Sequence, residues 1–239
     1  MNDIRNIVIL TGAGISAESG LKTFRADDGL WEDHPVEEVA TPAGFARDPD
    51  LVQRFYDERR AQVMAANPNA AHLALGRLDS EWRPERQRGN LLIVTQNIDD
   101  LHERGGARRV LHMHGEALSA WCTTCDARHP WRATLRNGPP CPDCGMASLR
   151  PDIVWFGEMP YQMERIYRAL AEADLFVSIG TSGAVYPAAG FVQEAARAGA
   201  RTLELNLEES LGSRFFDETR LGKASDLVPA LVEELLAQA

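Results

Sequence analysis

Several of the stretches that read as strands are apolar at almost every position, with no alternation of polar and apolar residues. The five are Ile7–Leu10, Leu91–Thr95, Arg109–Met113, Leu175–Ile179 and Thr202–Leu205. A strand with one face in water alternates, whereas a strand covered on both faces does not. Helical spacing of apolar residues fills the intervals: Leu51, Val52, Phe55 and Val63 within Pro49–Ala66, and Ala70, Leu73, Ala74 and Leu78 within Asn69–Leu78. Pro187–Ala198 and Val228–Ala237 repeat the pattern. Strands alternating with helices predict an α/β fold built on a parallel sheet with helices on both faces.

Four of these strands leave the sheet through small or polar residues: Thr11-Gly12-Ala13-Gly14, Gln96-Asn97-Ile98-Asp99, Gly180-Thr181-Ser182 and Asn206-Leu207-Glu208. Open parallel sheets bind ligands in the crevice beyond the carboxyl ends of their strands. Turns alone do not require amides, hydroxyls and carboxylates at every exit, so the pattern points to a ligand site. At the first exit, Gly12-x-Gly14-x-x-Ala17 matches the dinucleotide fingerprint, in which a helix N-terminus and backbone N–H groups approach a pyrophosphate. A plain strand-to-helix connection gives the same spelling. The acidic residue that should follow on a second strand is absent, and Thr23-Phe24-Arg25 and Asp27-Asp28-Gly29 come instead.

The 239 residues suffice for one large domain or a domain with an inserted module. A net charge of −10 disfavours nonspecific nucleic-acid or anionic-membrane binding and is compatible with basic peptide substrates. No apolar stretch reaches the length of a membrane span, and Met1-Asn2-Asp3-Ile4-Arg5 lacks a signal-peptide core, so a cytoplasmic protein is expected. Strand one starts a few residues after Met1, and no regulatory arm is expected before it.

Residues 33–85 read as a helical insertion and 115–150 as a module poor in periodic structure. Residues 1–32, 86–114 and 151–239 then form a discontinuous Rossmann-like nucleotide-binding domain. The small module holds all four cysteines: Cys122-x-x-Cys125 and Cys141-x-x-Cys144, with fifteen residues between the pairs. This is zinc-ribbon spacing, and Pro142, Asp143 and Gly145 suit a tight knuckle. Redox or disulfide pairs are the alternative, disfavoured in a reducing compartment. Four thiolates complete a zinc shell, so the metal is expected to be structural.

His112-Met113-His114-Gly115 closes the third predicted strand, with both histidines on one side by period-two geometry. A strand histidine is ordinarily a satisfied core residue, but His114 lies at the exit beside the proposed crevice. His72 and His102 fall in helical contexts and read as structural.

In order along the chain, Gly12–Gly20, Thr23-Phe24-Arg25, Gln96–Asp99, His114-Gly115-Glu116, the two Cys-x-x-Cys pairs, Val154-Trp155-Phe156-Gly157-Glu158, Gly180–Ser182 and Asn206–Glu208 resemble the sirtuins. The likeness spans the first strand to the last helix. It is nearest to bacterial members that remove acidic acyl groups as well as acetyl. The resemblance implies an NAD-consuming protein-lysine deacylase with NAD as co-substrate and one structural zinc on the cysteines. In such an enzyme the acyl-lysine oxygen attacks C1′ of the nicotinamide ribose as nicotinamide leaves. His114 then acts as general base on a ribose hydroxyl, and water releases free lysine and O-acyl-ADP-ribose.

The same resemblance assigns the cofactor to Gly12, Ala13, Gly14, Ser16 and Glu18, to the covering loop Thr23, Phe24 and Arg25, and to Gln96, Asn97, Ile98 and Asp99. Asn97 and Asp99 hold ribose and carboxamide. Gly180, Thr181, Ser182, Asn206, Leu207 and Glu208 take the phosphate and adenosine side, and Ala224 borders adenine. Val154, Phe156 and Gly157 belong to a segment that pairs with substrate peptide as an added strand. Tyr56 and Arg59, one helical turn apart, form the floor of the acyl pocket and bind a distal carboxylate; a solvated helix face is the bland alternative. The family commonly has proline where Lys22 stands. The expected partners are acylated proteins or peptides, and a monomer is favoured. ADP-ribosyl transfer to protein and a noncatalytic NAD-sensing or zinc-ribbon module are the rival readings. A nucleic-acid-binding ribbon finds local support only in Arg128, Arg132 and Arg136.

Overall fold

The computed structural model describes residues 4–22, 30–31, 34–82 and 89–237. In chain order the strands are β1 (Ile7–Thr11), β2 (Leu30–Trp31), β3 (His34–Pro35), β4 (Leu91–Thr95), β5 (Val110–His112), β6 (Gly115–Cys122), β7 (Arg128–Pro130), β8 (Leu149–Ile153), β9 (Leu175–Ile179), β10 (Arg201–Asn206) and β11 (Glu218–Leu221). Six of them form one sheet in the order β11-β10-β9-β1-β4-β5, with every pairing parallel. Strands β4 and β5 extend it to one side of β1 and β9, β10 and β11 to the other, the doubly wound order of nucleotide-binding folds.

The lack of alternation in β1, β4 and β9 has a direct cause. Ile7, Ile9, Ile93, Val177 and Leu205 pack on one face against Leu75, Leu78, Val228 and Val232 of flanking helices. Val8, Leu10, Val94 and Phe176 pack on the other against Ile166, Leu170, Phe191 and Val192. With both faces apolar, a one-residue slip would expose nothing, so amphipathicity alone cannot set register.

The helical insertion forms helices at Val36–Val39, Pro42–Arg47, Pro49–Ala65 and Ala70–Glu81. Asp48 caps the third, its Oδ1 accepting from Leu51 N at 2.9 Å, with Pro49 at the first helical position. Asn69 caps the fourth reciprocally with His72. An aromatic layer of Phe55, Tyr56 and Trp155 with Val39 and Val52 joins this wall to β8.

Strands β7-β6-β8 form a separate antiparallel sheet. It runs past the expected boundary at Arg150, because β6 pairs with β8 from Cys122–Leu149 back to Gly115–Ile153. The strand expected at Arg109–Met113 is shorter, and β11 was not anticipated. The last helix starts at Ala224 rather than Val228. Among the described residues, no helix is long and apolar enough to cross a membrane.

Candidate functional site

The sheet reverses its order between β1 and β9, and their exit loops touch there. Gly14 N donates to the Gly180 carbonyl at 2.9 Å. A Cβ on Gly12 would lie 2.7 Å from Gly180 O, and one on Gly14 would lie 2.7 Å from Gly180 Cα. Gly180 itself has φ +62°, where side chains are strained. Close backbone contact therefore accounts for these three glycines and opens a cleft of about 1010 Å³ beyond the strand ends.

The cleft gathers residues from across the chain. Gly12, Ala13, Gly14, Ser16, Glu18, Gln96, Asn97, Ile98, Asp99, His114, Gly180, Thr181, Ser182, Asn206, Leu207, Glu208 and Ala224 line it. Tyr56, Arg59, Val154, Phe156 and Gly157 line the same space. Thr23, Phe24 and Arg25 lie outside the described residues.

The β4 exit is the polar heart of the cleft. Asn97 Nδ2 donates to Gly12 O and to Ser16 Oγ, both at 3.1 Å. Ser16 Oγ donates to Asp99 Oδ2 at 3.0 Å, and Leu101 N donates to Asp99 Oδ1 at 3.1 Å. Burial pushes the Asp99 carboxyl pKa above its ordinary range, and the bonds from Leu101 and Ser16 pull the other way. Beneath this network, His102 Nε2 and Thr11 Oγ1 are 2.9 Å apart, and His72 Nδ1 accepts from Asn69 N. Burial drives the His72 pKa down to about 4 and that of His102 well below the usual histidine value, so both rings are neutral beneath the network.

His114 sits just past β5, its Nδ1 3.2 Å from the Gln96 carbonyl. A carbonyl only accepts, so in the neutral ring Nδ1 carries the hydrogen and Nε2 keeps a lone pair. Burial lowers its pKa and so favours that neutral form, and the Gln96 bond pulls the other way. Nε2 is therefore the nitrogen of this ring that can accept a proton.

Opposite lies the aromatic wall. Tyr56 is 1% exposed, and its hydroxyl accepts from Trp155 Nε1 at 3.0 Å. Arg59 is 8% exposed, with its guanidinium carbon 5.3 Å from the Phe55 ring centre. The pair thus faces the cleft from a buried position rather than from a solvated helix surface. Beyond β8, Glu158 accepts from Trp155 N and pairs with Arg150, whose guanidinium lies 3.6 Å over the Trp155 ring. This clamp turns the chain so that Phe156 projects 46% exposed at the rim. Ser225 N and Oγ donate to Glu18 at 3.1 and 2.7 Å, so the Glu18 carboxylate ties the first turn to the last helix.

Sequence reasoning missed Trp31, Gln62, Val63, Val185 and Tyr186, which also line the cleft. Val63 was reachable, since it stands one turn beyond Arg59 on the same helical stripe. Val185 and Tyr186 lie in an aperiodic loop and carry no such signal.

The four cysteines lie away from the cleft, in the antiparallel module. Their sulfurs fall within 4.8 Å of one another, with Cys122–Cys144 at 3.6 Å and Cys125–Cys141 at 3.7 Å. Those separations exclude a disulfide. Tetrahedral zinc with Zn–S bonds of about 2.3 Å places its sulfurs about 3.8 Å apart, so the donor set fits that metal.

A doubly wound sheet, a glycine-lined cleft at its switch point and an attached four-sulfur module together define a class of nucleotide-binding α/β proteins. The profile of the Sir2 family matches residues 12–187. An NAD-dependent protein deacylase of Vibrio parahaemolyticus is 58% identical over 98% of this chain and 96% of its own. One from Yersinia pestis is likewise 58% identical, over 96% of this chain and 82% of its own. A solved Sir2 homologue in complex with NAD superposes with a TM-score of 0.88 at 37% identity, covering 99% of this chain and 92% of that one. A Sir2 protein bound to acetylated peptide gives 0.81 at 28% identity, over 98% and 94%. The chain belongs to the Sir2 family, the sirtuins.

Proposed function

We propose that this chain is an NAD-dependent protein-lysine deacylase acting on acetyl-lysine and on acidic acyl-lysines such as succinyl- and malonyl-lysine. The acyl group passes to ADP-ribose, releasing nicotinamide and O-acyl-ADP-ribose. The observation that carries this reading is the convergence on one cleft of His114, the Asn97–Ser16–Asp99 network and the Tyr56–Arg59 pair. Supporting it are the relatives at 58% identity, themselves named NAD-dependent protein deacylases.

NAD supplies an electrophilic ribose carbon and a leaving nicotinamide. The chain supplies position and a base. Asn97 and Asp99 hold the ribose end, Gly12–Gly14 and Gly180–Ser182 the phosphates, and Asn206–Glu208 with Ala224 the adenosine. His114, neutral through burial, takes the hydroxyl proton at Nε2. Val154, Phe156 and Gly157 hold the peptide by main-chain pairing, which tolerates varied sequences. Arg59 bonds a distal carboxylate, worth about 1.5–3 kcal/mol, whereas the chain's diffuse negative charge is screened beyond about 8 Å. Local pairing therefore outweighs the net charge of −10. Zinc on Cys122, Cys125, Cys141 and Cys144 holds the small module together and takes no part in the chemistry.

Mass spectrometry of acetyl- and succinyl-lysine peptides, incubated with and without NAD, tests the reading. NAD-dependent loss of both acyl groups with appearance of O-acyl-ADP-ribose is expected. Unchanged peptides, or ADP-ribose found attached to protein instead, would overturn it.

A further inference from the structure

We propose that His112 is a positioning residue that works as an imidazolium at neutral pH, clamping the Gln96–Asp99 loop from behind while His114 works in front of it as a neutral base. The inference deepens the reading above and rests on it for its kinetic consequences. Its geometric basis is independent. His112 Nδ1 lies 3.2 Å from the Asn97 carbonyl, and Nε2 lies 2.8 Å from Glu103 Oε1. A carbonyl and a carboxylate both accept and neither donates. Each ring nitrogen must therefore carry a hydrogen, which only the charged ring does. His114, two residues on, bonds the neighbouring carbonyl, Gln96, through Nδ1. Two histidines thus grip consecutive carbonyls of one loop in different protonation states.

The surroundings are consistent. The ionisable groups acting on His112 are Glu103 and His102 from the Leu101–Arg104 helix, Glu116 from β6 and Asp99 from the loop. His102 is held neutral by burial, so it offers no repulsion. Burial works against the His112 cation, yet the bond and charge of Glu103, with Glu116, outweigh it and hold its pKa above the ordinary value. The cation in turn favours the ionised form of Asp99, against that carboxyl's own burial. One side chain therefore fixes the path of the loop at Asn97 and biases the charge at Asp99.

The test needs two readouts. In long-range 15N–1H NMR of the zinc-loaded protein at pH 7, His112 should show two protonated ring nitrogens and His114 one. Glu103→Gln, at a half-exposed position, keeps the shape and removes the charge. It should lower the His112 titration midpoint by about one unit or more. The high-pH limb of kcat/KM for NAD should move down by the same amount while the low-pH limb, set by His114, stays. His112→Phe should abolish the high-pH limb and raise KM for NAD about tenfold or more, the loss of a charged hydrogen bond. A singly protonated His112 at pH 7, or a high-pH limb indifferent to Glu103→Gln, would overturn the proposal. Should the wild-type protein lack deacylase activity, the proposed function fails, and NMR with calorimetric NAD binding still decides the state of His112.

Discussion

The cysteine knuckle and the cleft are both convergences of polar groups brought from distant parts of the chain, but they converge differently. The four sulfurs lie within 4.8 Å of one another, two pairs of them at 3.6 and 3.7 Å, a spacing that fits a single ion. In the cleft, Asn97, Ser16 and Asp99 satisfy one another on one side and face about 1010 Å³ of space on the other. A saturated cluster stabilises. A cluster with an open face is left with capacity for a ligand. The contrast predicts that substitutions in the knuckle act through folding and those in the cleft through catalysis.

The largest effect is expected at the knuckle. Structural zinc contributes about 10–16 kcal/mol of apparent binding energy to small modules. Cys141→Ser should abolish stoichiometric zinc and leave the 115–150 segment open to limited proteolysis. Metal retained at one equivalent with full activity would erase the distinction between the regions.

At the cleft, His114→Ala should lower kcat about 10²–10⁴-fold, the usual contribution of a general base. Its melting temperature should stay near that of the parent. A large drop in thermal stability would make His114 a structural residue and break the comparison from the other side.

The buried props below the cleft give an acid limit to stability. His72 is neutral when folded, with its pKa depressed to about 4, while the unfolded ring titrates near its ordinary value. A depressed folded pKa means stability present above the unfolded value and lost as pH falls toward the folded one. The loss between about pH 6.5 and 4 is on the order of 3 kcal/mol for this ring. Melting temperatures measured across that window should fall, and less steeply in His72→Asn. Parallel slopes would remove the prop assignment.

Arg59→Met should reduce desuccinylation about 10–150-fold, the equivalent of one charged hydrogen bond, and deacetylation less than about threefold. Equal losses would return Arg59 to a packing role against Phe55.

What could be read from the chain follows this same physics. Doubly covered strands advertise themselves because β1, β4 and β9 are buried on both faces and admit polar residues only at Thr11, Thr95 and Ser178, toward their carboxyl ends. Strand β11 was silent because it lies at the sheet edge and its residues, Glu218-Thr219-Arg220-Leu221, are half-buried or exposed. The last helix begins at Ala224, one turn before Val228, because the residues of that first turn carry little apolar periodicity, and Ser225 there is held by Glu18. The glycines and cysteines were legible as motifs, since backbone approach and metal geometry each demand one residue type. Val185 and Tyr186 were not, because a loop residue reaches a cleft through tertiary placement that no local pattern encodes. The double grip of His112 was equally hidden, since Glu103 meets it only once the Leu101–Arg104 helix has folded beside β5.

The smallest effect concerns the rim where the two halves of the sheet are stitched. Glu18 accepts from Ser225 N and Oγ, and those bonds, chiefly the hydroxyl, lower its pKa. The carboxylate also lies at the N-terminal end of the Ala224–Ala237 helix, where negative charge is favoured. Because the group is largely exposed, solvent screening keeps its contribution below about 1 kcal/mol. A lowered folded pKa places that contribution above the unfolded carboxylate value and removes it as pH falls through the folded one. Glu18→Gln should therefore melt slightly below the parent at pH 7, and the gap should close under acid. If Glu18→Gln instead raised KM for NAD severalfold with no change in melting, Glu18 would belong to the open convergence rather than to the frame around it.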